Sequence, residues 1–135
     1  MDISIIGAIL LAHLVGDYLL QNDEMATKKT TSWAWALLHG AVYTLPFMLI
    51  TLNPWALLII GGTHAIIDRY RLAKHFIWAY NNFTTTKAFH YEWSEAKANG
   101  GYPASKPVWM STWLMIVIDN SLHLLLNVAA IAIFA

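Results

Sequence analysis

Four long blocks of apolar residues constrain the fold of this chain more than any other feature of its sequence. An α-helix needs roughly 20 mostly apolar residues to cross the hydrocarbon core of a bilayer, and the blocks have about that length. The chain is 58% hydrophobic and 12% charged, whereas soluble domains usually carry about 25% charged residues. We therefore predict an all-α integral membrane fold, a four-transmembrane-helix bundle in one domain, with helices at about 3–21, 33–52, 55–70 and 107–134.

One long polar stretch, 71–106, separates the third block from the fourth. Its first part, 74–83, mixes aromatic and polar residues as an amphipathic helix on a membrane surface does. The remainder contains Gly100, Gly101 and Pro103, which predict an irregular loop that could cover a site. The alternative to a membrane protein is a small, very apolar soluble bundle, which the length of the blocks disfavours.

The basic residues predict the orientation of the chain. All eight Lys and Arg lie at or after the ends of the first and third blocks, and the positive-inside tendency places such segments in the cytoplasm. Both termini are then expected outside the cytoplasm, in a multi-pass protein of the inner membrane whose partner is the lipid bilayer. Eight acidic residues balance the eight basic ones, so the net charge predicts no nucleic-acid partner.

Within the apolar blocks, His and Asp residues recur at a spacing of four, which places them on one face of each helix. They are His13 and Asp17 (followed by Gln21) on the first helix, His39 on the second, His64 and Asp68 on the third, and Asp119 and His123 on the fourth. At about 1.5 Å per residue, these residues all lie between the membrane midplane and the cytoplasmic face. We therefore predict that they converge in one layer.

The converging side chains predict a metal site. Charged groups inside a membrane are costly, so they face the bundle interior and pair, and divalent cations would offset the three carboxylates. Nitrogen and carboxylate ligands suit zinc, manganese or iron, whereas sulfur ligands are excluded because the chain has no cysteine. The predicted ligands are His13, Asp17, His39, His64, Asp68, Asp119 and His123, and their predicted hydrogen-bonding partners are Gln21, Tyr43, Asn120 and Asn127. His75 and His90 are interpreted as ordinary surface histidines.

Two other interpretations of these residues remain open. The His and Asp side chains could pair only to hold helices together, although such bonds in membranes are worth just about 0.6 to 2 kcal/mol each. They could also relay protons or ions, as Asp/His chains in membranes often do.

The spacing of these residues resembles a known family. The segment His13-x3-Asp17-Tyr18-x2-Gln21 is similar to the signature of an uncharacterised family of small integral membrane proteins from bacteria and their phages, the domain of unknown function 3307 family. The isolated His39, the His-x3-Asp of the third block and the Asp-x3-His of the fourth also match the family pattern, with Asn120 where Gln is common. The resemblance covers nearly the whole chain, implies a bacterial membrane location and names no function.

The predicted function is metal-assisted hydrolysis of a lipid or another membrane-accessible substrate. A bound cation lowers the pKa of water and produces a nucleophile, and Asp17 or Asp119 could act as the base. Two alternatives stay open. One is an oligomeric transporter, with the chain as a homo-oligomer that conducts protons or metal ions. The other is a bacterial or phage interaction protein without catalysis, in which function would depend on the 71–106 surface.

Overall fold

A computed structural model describes residues 2–134, which contain helices and no strand. The chain divides into two compact units, Met1–Tyr70 with His123–Ala135 and Arg71–Leu122. The helices of the first unit are α1 (Ile3–Leu14, extended by a π-helical turn, Val15–Leu19), α2 (Asp23–Lys28), α3 (Trp33–Thr44, extended by a 3-10 turn, Leu45–Leu49) and α4 (Pro54–Tyr70). The second unit contains α5 (Leu72–Thr84), a 3-10 turn (Lys87–Phe89) and α6 (Trp93–Ala96). Helix α7 (Val108–Phe134) begins in the second unit and ends in the first.

The predicted four-transmembrane-helix bundle is wrong. Within residues 2–134, only α7 is both long and apolar enough to cross a membrane. The apolar helices Ile3–Leu19 and Trp33–Leu49 are shorter, and α4 has 17 residues. Seventeen residues rise only about 26 Å, less than the roughly 30 Å of a hydrocarbon core. The first two apolar blocks are longer than the helices within them, because 20–21 and 50–52 lie outside the helical segments, whereas the third block is itself short.

Close backbone approaches position the helices of the first unit. A Cβ on Gly40 of α3 would lie 2.6 Å from the carbonyl oxygen of Gly61 on α4, and one on Gly16 would lie 2.8 Å from the carbonyl oxygen of Tyr43. Only glycine fits at such distances, so α3 packs directly against α4 and against the π-helical turn of α1. The core beneath consists of Ile9, Ala12, Tyr43, Phe47, Ile60, Ala130 and Ile131.

The second unit is organised around hydrogen bonds of its connecting segments. The Tyr91 hydroxyl donates to the Gly101 carbonyl over 2.7 Å, and the Trp78 indole donates to the Tyr91 carbonyl over 3.0 Å. Asn99 donates to the carbonyls of Pro103 and Lys106. Within 84–106, the segment that was expected to be an irregular loop, Lys87–Phe89 and Trp93–Ala96 form two short helical turns, and the other residues lie in well-bonded turns and irregular backbone.

Candidate metal site

Four buried side chains of the first unit converge on one point. Asp17 comes from the π-helical turn, His39 from α3, and His64 and Asp68 from successive turns of α4. None of the four residues is more than 6% exposed. The i, i+4 spacing places His64 and Asp68 on the same face of a regular helix, while the contact between Gly40 and Gly61 brings α3 close enough for His39 to meet them.

The facing atoms of these side chains are close to one another. His39 Nε2 and His64 Nε2 are 3.0 Å apart. Asp17 Oδ1 lies 3.3 Å from the first nitrogen and 3.6 Å from the second. Asp68 Oδ2 lies 3.5 Å from His39 Nε2 and 3.1 Å from His64 Nε2. Two nitrogens and two carboxylate oxygens arranged in this way could hold a metal ion.

Asp17 lies within the π-helical turn, which changes the spacing between Asp17 and the two residues, His13 and Gln21, that were expected on the same helix face. Such a turn contains one more residue than an α-helical turn, and π-helical turns are frequent at functional sites. His13 is buried outside the group of four, with Nδ1 2.7 Å from the Tyr43 hydroxyl. Gln21 follows the helical run, and its Oε1 has no hydrogen-bond partner among residues 2–134.

Tyr43 and Asn127 lie beside the group of four. Asn127 Nδ2 donates to the Tyr43 hydroxyl over 2.6 Å, which leaves the hydroxyl proton free to be donated to His13 Nδ1. The Tyr43 ring also stacks on the His64 ring, with centroids 3.7 Å apart and an interplanar angle of 15°. In most metal sites the second nitrogen of each histidine donates a hydrogen bond. Here His39 Nδ1 and His64 Nδ1 have no such partner within the described part of the chain, so packing orients the rings.

Asp119 and His123, which were predicted on one face of the fourth helix, belong to different units. His123 Nε2 lies 3.4 Å from Asp68 Oδ1, on the carboxylate oxygen that does not face the two histidines. His123 therefore orients Asp68. Asp119 and Asn120 belong to the second unit and lie outside the group of four, and the Asn120 amide donates to the carbonyl of Ile116 over 2.8 Å.

Lys29 is a site residue that the sequence analysis did not identify. Its Nζ lies 2.8 Å from Asp68 Oδ2, 3.7 Å from Asp17 Oδ1 and 3.3 Å from His39 Nε2. Lys29 directly follows α2, a helix that begins where the Asn22 side chain accepts a hydrogen bond from the Met25 amide. The only signal in the sequence was a lysine in a polar segment, which does not distinguish a buried lysine from a solvated one.

The environment favours the protonation states that metal binding requires. Burial alone would raise the pKa of Asp17, but the hydrogen bond with His39, the charge that His64 acquires in acid and the charge of Lys29 lower it to about 2. Burial likewise opposes ionisation of Asp68, yet contacts with His123 and His64 place its pKa below the ordinary value. Burial lowers the pKa of His64 to about 4. At neutral pH the carboxylates are thus ionised and His64 is neutral, as metal ligands must be.

Comparison with known proteins relates the chain to a family without assigning an activity to it. No curated protein and no solved structure matched the chain. A family match covers nearly the whole sequence, and it confirms the family that the histidine and aspartate spacing predicted. Because residues 5–135 match the family described as "Protein of unknown function (DUF3307)", the chain belongs to that family.

Proposed function

We propose that the first unit binds one divalent transition-metal ion through Asp17, His39, His64 and Asp68. The observation that carries this proposal is the set of distances between the facing atoms. Zinc bonds of about 2.0–2.1 Å in a tetrahedron place neighbouring ligand atoms about 3.3–3.4 Å apart. The five distances given above, 3.0 to 3.6 Å, lie on either side of that value.

The ligand set favours zinc over the other predicted metals. Two carboxylates neutralise a divalent cation, and two neutral imidazoles complete a four-coordinate shell of the kind that zinc prefers. Manganese usually takes six oxygen-rich ligands, and iron enzymes with two histidines and one carboxylate keep open positions. A tetrahedron of four protein ligands leaves no position for water, as in zinc sites that are not catalytic.

Zinc content of the purified full-length chain tests this proposal. We expect about one zinc per chain after incubation with zinc and desalting, measured by inductively coupled plasma mass spectrometry. His39→Ala and His64→Ala should each lose most of that zinc. His90→Ala is the matched control, because His90 is exposed in the second unit, and it should keep the wild-type content. Equal zinc in all four proteins, or none in the wild type, would contradict the site.

Metal-assisted hydrolysis is the second candidate, and the position of Asp17 favours it. Asp17 lies on a π-helical turn rather than in a regular helix, and such turns are common where function requires irregular geometry. If this carboxylate left the metal, water could take its place and Asp17 could accept the water proton. Zinc-dependent hydrolysis of chromogenic carboxyl or phosphate esters that Asp17→Asn abolishes would support this function. A zinc-loaded protein without any turnover would support binding alone.

We further propose that the chain associates with a lipid bilayer through α7. Its 27 residues rise about 40 Å, more than the thickness of a hydrocarbon core. Apolar side chains along it are strongly exposed, among them Val108 at 73%, Leu125 at 68% and Ile133 at 70%. The full-length chain should remain in the membrane pellet after extraction with alkaline carbonate. Release into the supernatant would contradict insertion of α7.

A further inference from the structure

Lys29 contacts the same side-chain atoms that an added metal cation would bind. Its ammonium nitrogen contacts Asp17 Oδ1, His39 Nε2 and Asp68 Oδ2, at the distances given above. These are three of the four atoms proposed as metal ligands, so the ammonium covers one face of the tetrahedron, the face opposite His64. The Lys29 side chain is only 15% exposed, and it therefore belongs to the cluster rather than to the surface.

In the metal-free protein, the Lys29 side chain pairs with two buried carboxylates, those of Asp17 and Asp68. Buried charges are strongly destabilising unless they are paired, and the Lys29 side chain supplies such a pairing for Asp68 and, at longer range, for Asp17. Yet Lys29 does not satisfy the site fully. Asp68 Oδ2 is buried and has no hydrogen bond of acceptable geometry within residues 2–134, although Lys29 Nζ is 2.8 Å away.

A divalent cation and the ammonium would repel each other if both contacted these oxygens. The connection of Lys29 to the chain allows it to withdraw, because it follows the short helix α2 and precedes the turn that leads into α3. Its four-carbon stem is flexible and carries a compact charge. The turn itself is fixed, since Arg69 Nη1 donates to the Thr30 carbonyl over 2.8 Å, so only the side chain needs to move.

We propose that Lys29 is a tethered cation that occupies the cluster in the metal-free protein and that a divalent metal ion displaces. Lys29 thereby sets the metal concentration at which the site fills. This inference rests on the proposed metal-binding function and adds the regulation of the same site.

Zinc affinity of charge variants tests the inference at fixed pH. Lys29→Met keeps the stem and removes the charge, so zinc should bind at least tenfold more tightly, measured by competition with a fluorescent chelator. The metal-free Lys29→Met protein should also melt at a lower temperature than the wild type. Lys28→Met is the matched control, because Lys28 is half-exposed and pairs with Glu24 on the surface, and its zinc affinity should equal that of the wild type. Unchanged or weaker zinc binding by Lys29→Met would overturn the displacement.

Amine labelling gives a second readout that needs only the wild-type protein, so it is independent of whether a Lys29 variant folds. Mass spectrometry after brief acetylation should find Lys29 protected in the metal-free protein and modified several-fold faster with saturating zinc, while Lys28 reacts at the same rate in both states. Zinc binding without a change at Lys29 would refute this inference alone. No zinc binding by the wild type would refute the proposed function, and the displacement with it.

Discussion

Histidines are buried in the first unit and exposed in the second. In the first unit, His13, His39, His64 and His123 are at most 1% exposed and lie against carboxylates, a tyrosine and one another. In the second unit, both histidines are exposed. His75 stacks on Trp93 with ring centroids 4.3 Å apart, and His90 Nε2 lies 3.1 Å from the Thr85 carbonyl oxygen. A histidine is a candidate metal ligand here because the packing of helices places carboxylates beside it. The residue type alone does not identify a ligand.

The largest effect on zinc affinity is expected for Asp68 and not for Asp119, although both aspartates were predicted to be ligands. Asp68→Asn removes a ligand charge from the group of four, so zinc affinity should fall at least about 100-fold, more than the loss of an indirect partner of a metal ligand causes. Asp119→Asn in the second unit should change it by less than tenfold. Titration with zinc against a competing chelator measures both. A larger loss in Asp119→Asn than in Asp68→Asn would place the metal elsewhere.

The pH dependence of stability should come from the first unit. His64 has a folded-state pKa of about 4 against an ordinary value of about 6.5, so the unfolded chain takes up the proton first as pH falls. The free energy of unfolding should be nearly constant between pH 7 and 8 and should fall by at most about 3 kcal/mol between pH 6.5 and 4. Asp17, with a pKa of about 2, adds a further loss below its ordinary value of 3.8.

Denaturant unfolding at a series of pH values, in the presence of a chelator, measures how the free energy of unfolding depends on pH. His64→Gln should make the free energy of unfolding less dependent on pH between pH 6.5 and 4, whereas His75→Ala should leave that dependence unchanged. A wild-type protein whose stability is the same at pH 7 and pH 4 would contradict the assignment of a neutral buried His64.

Two glycines of the first unit give a matched test of helix packing. Gly40→Ala puts a methyl group 2.6 Å from the Gly61 carbonyl oxygen, whereas Gly62→Ala meets nothing within 4 Å. Overpacking should cost Gly40→Ala about 1–3 kcal/mol and weaken zinc binding, because α3 carries His39. Gly62→Ala should gain up to about 1 kcal/mol from helix propensity. Equal melting temperatures for the two variants would contradict the close contact of α3 with α4.

A smaller effect is expected for single hydroxyl groups. Tyr43→Phe leaves His13 and Asn127 without their shared partner, which should cost about 1–2 kcal/mol. Tyr80→Phe, at a tyrosine that is 57% exposed in the second unit, should change the free energy of unfolding by less than about 0.5 kcal/mol. Chemical denaturation of the two variants checks the difference, and equal losses would indicate that the Tyr43 hydroxyl is not buried in a hydrogen-bond network.

How far the sequence predicts this molecule depends on the regularity of each element. His64 and Asp68 lie on an uninterrupted α-helix, so a spacing of four was enough to pair them. His13 and Asp17 have the same spacing, but a π-helical turn separates them, and such a turn leaves no reliable sequence pattern. Lys29 reaches the cluster through the path of α2, which residue spacing cannot predict. The apolar blocks predicted helices, but the first two exceeded their helical segments in length and the third was short, and the four-span arrangement was wrong for that reason.

The proposed site consists of two imidazoles and two carboxylates of the first unit around one tetrahedral metal ion. X-ray absorption spectroscopy at the zinc edge of the zinc-loaded chain tests it most directly. We predict four nitrogen or oxygen neighbours at about 2.0–2.1 Å, with outer-shell scattering from two imidazole rings that is absent in a His39→Ala/His64→Ala variant. A six-coordinate shell of oxygen atoms without imidazole scattering would contradict a site built from His39 and His64.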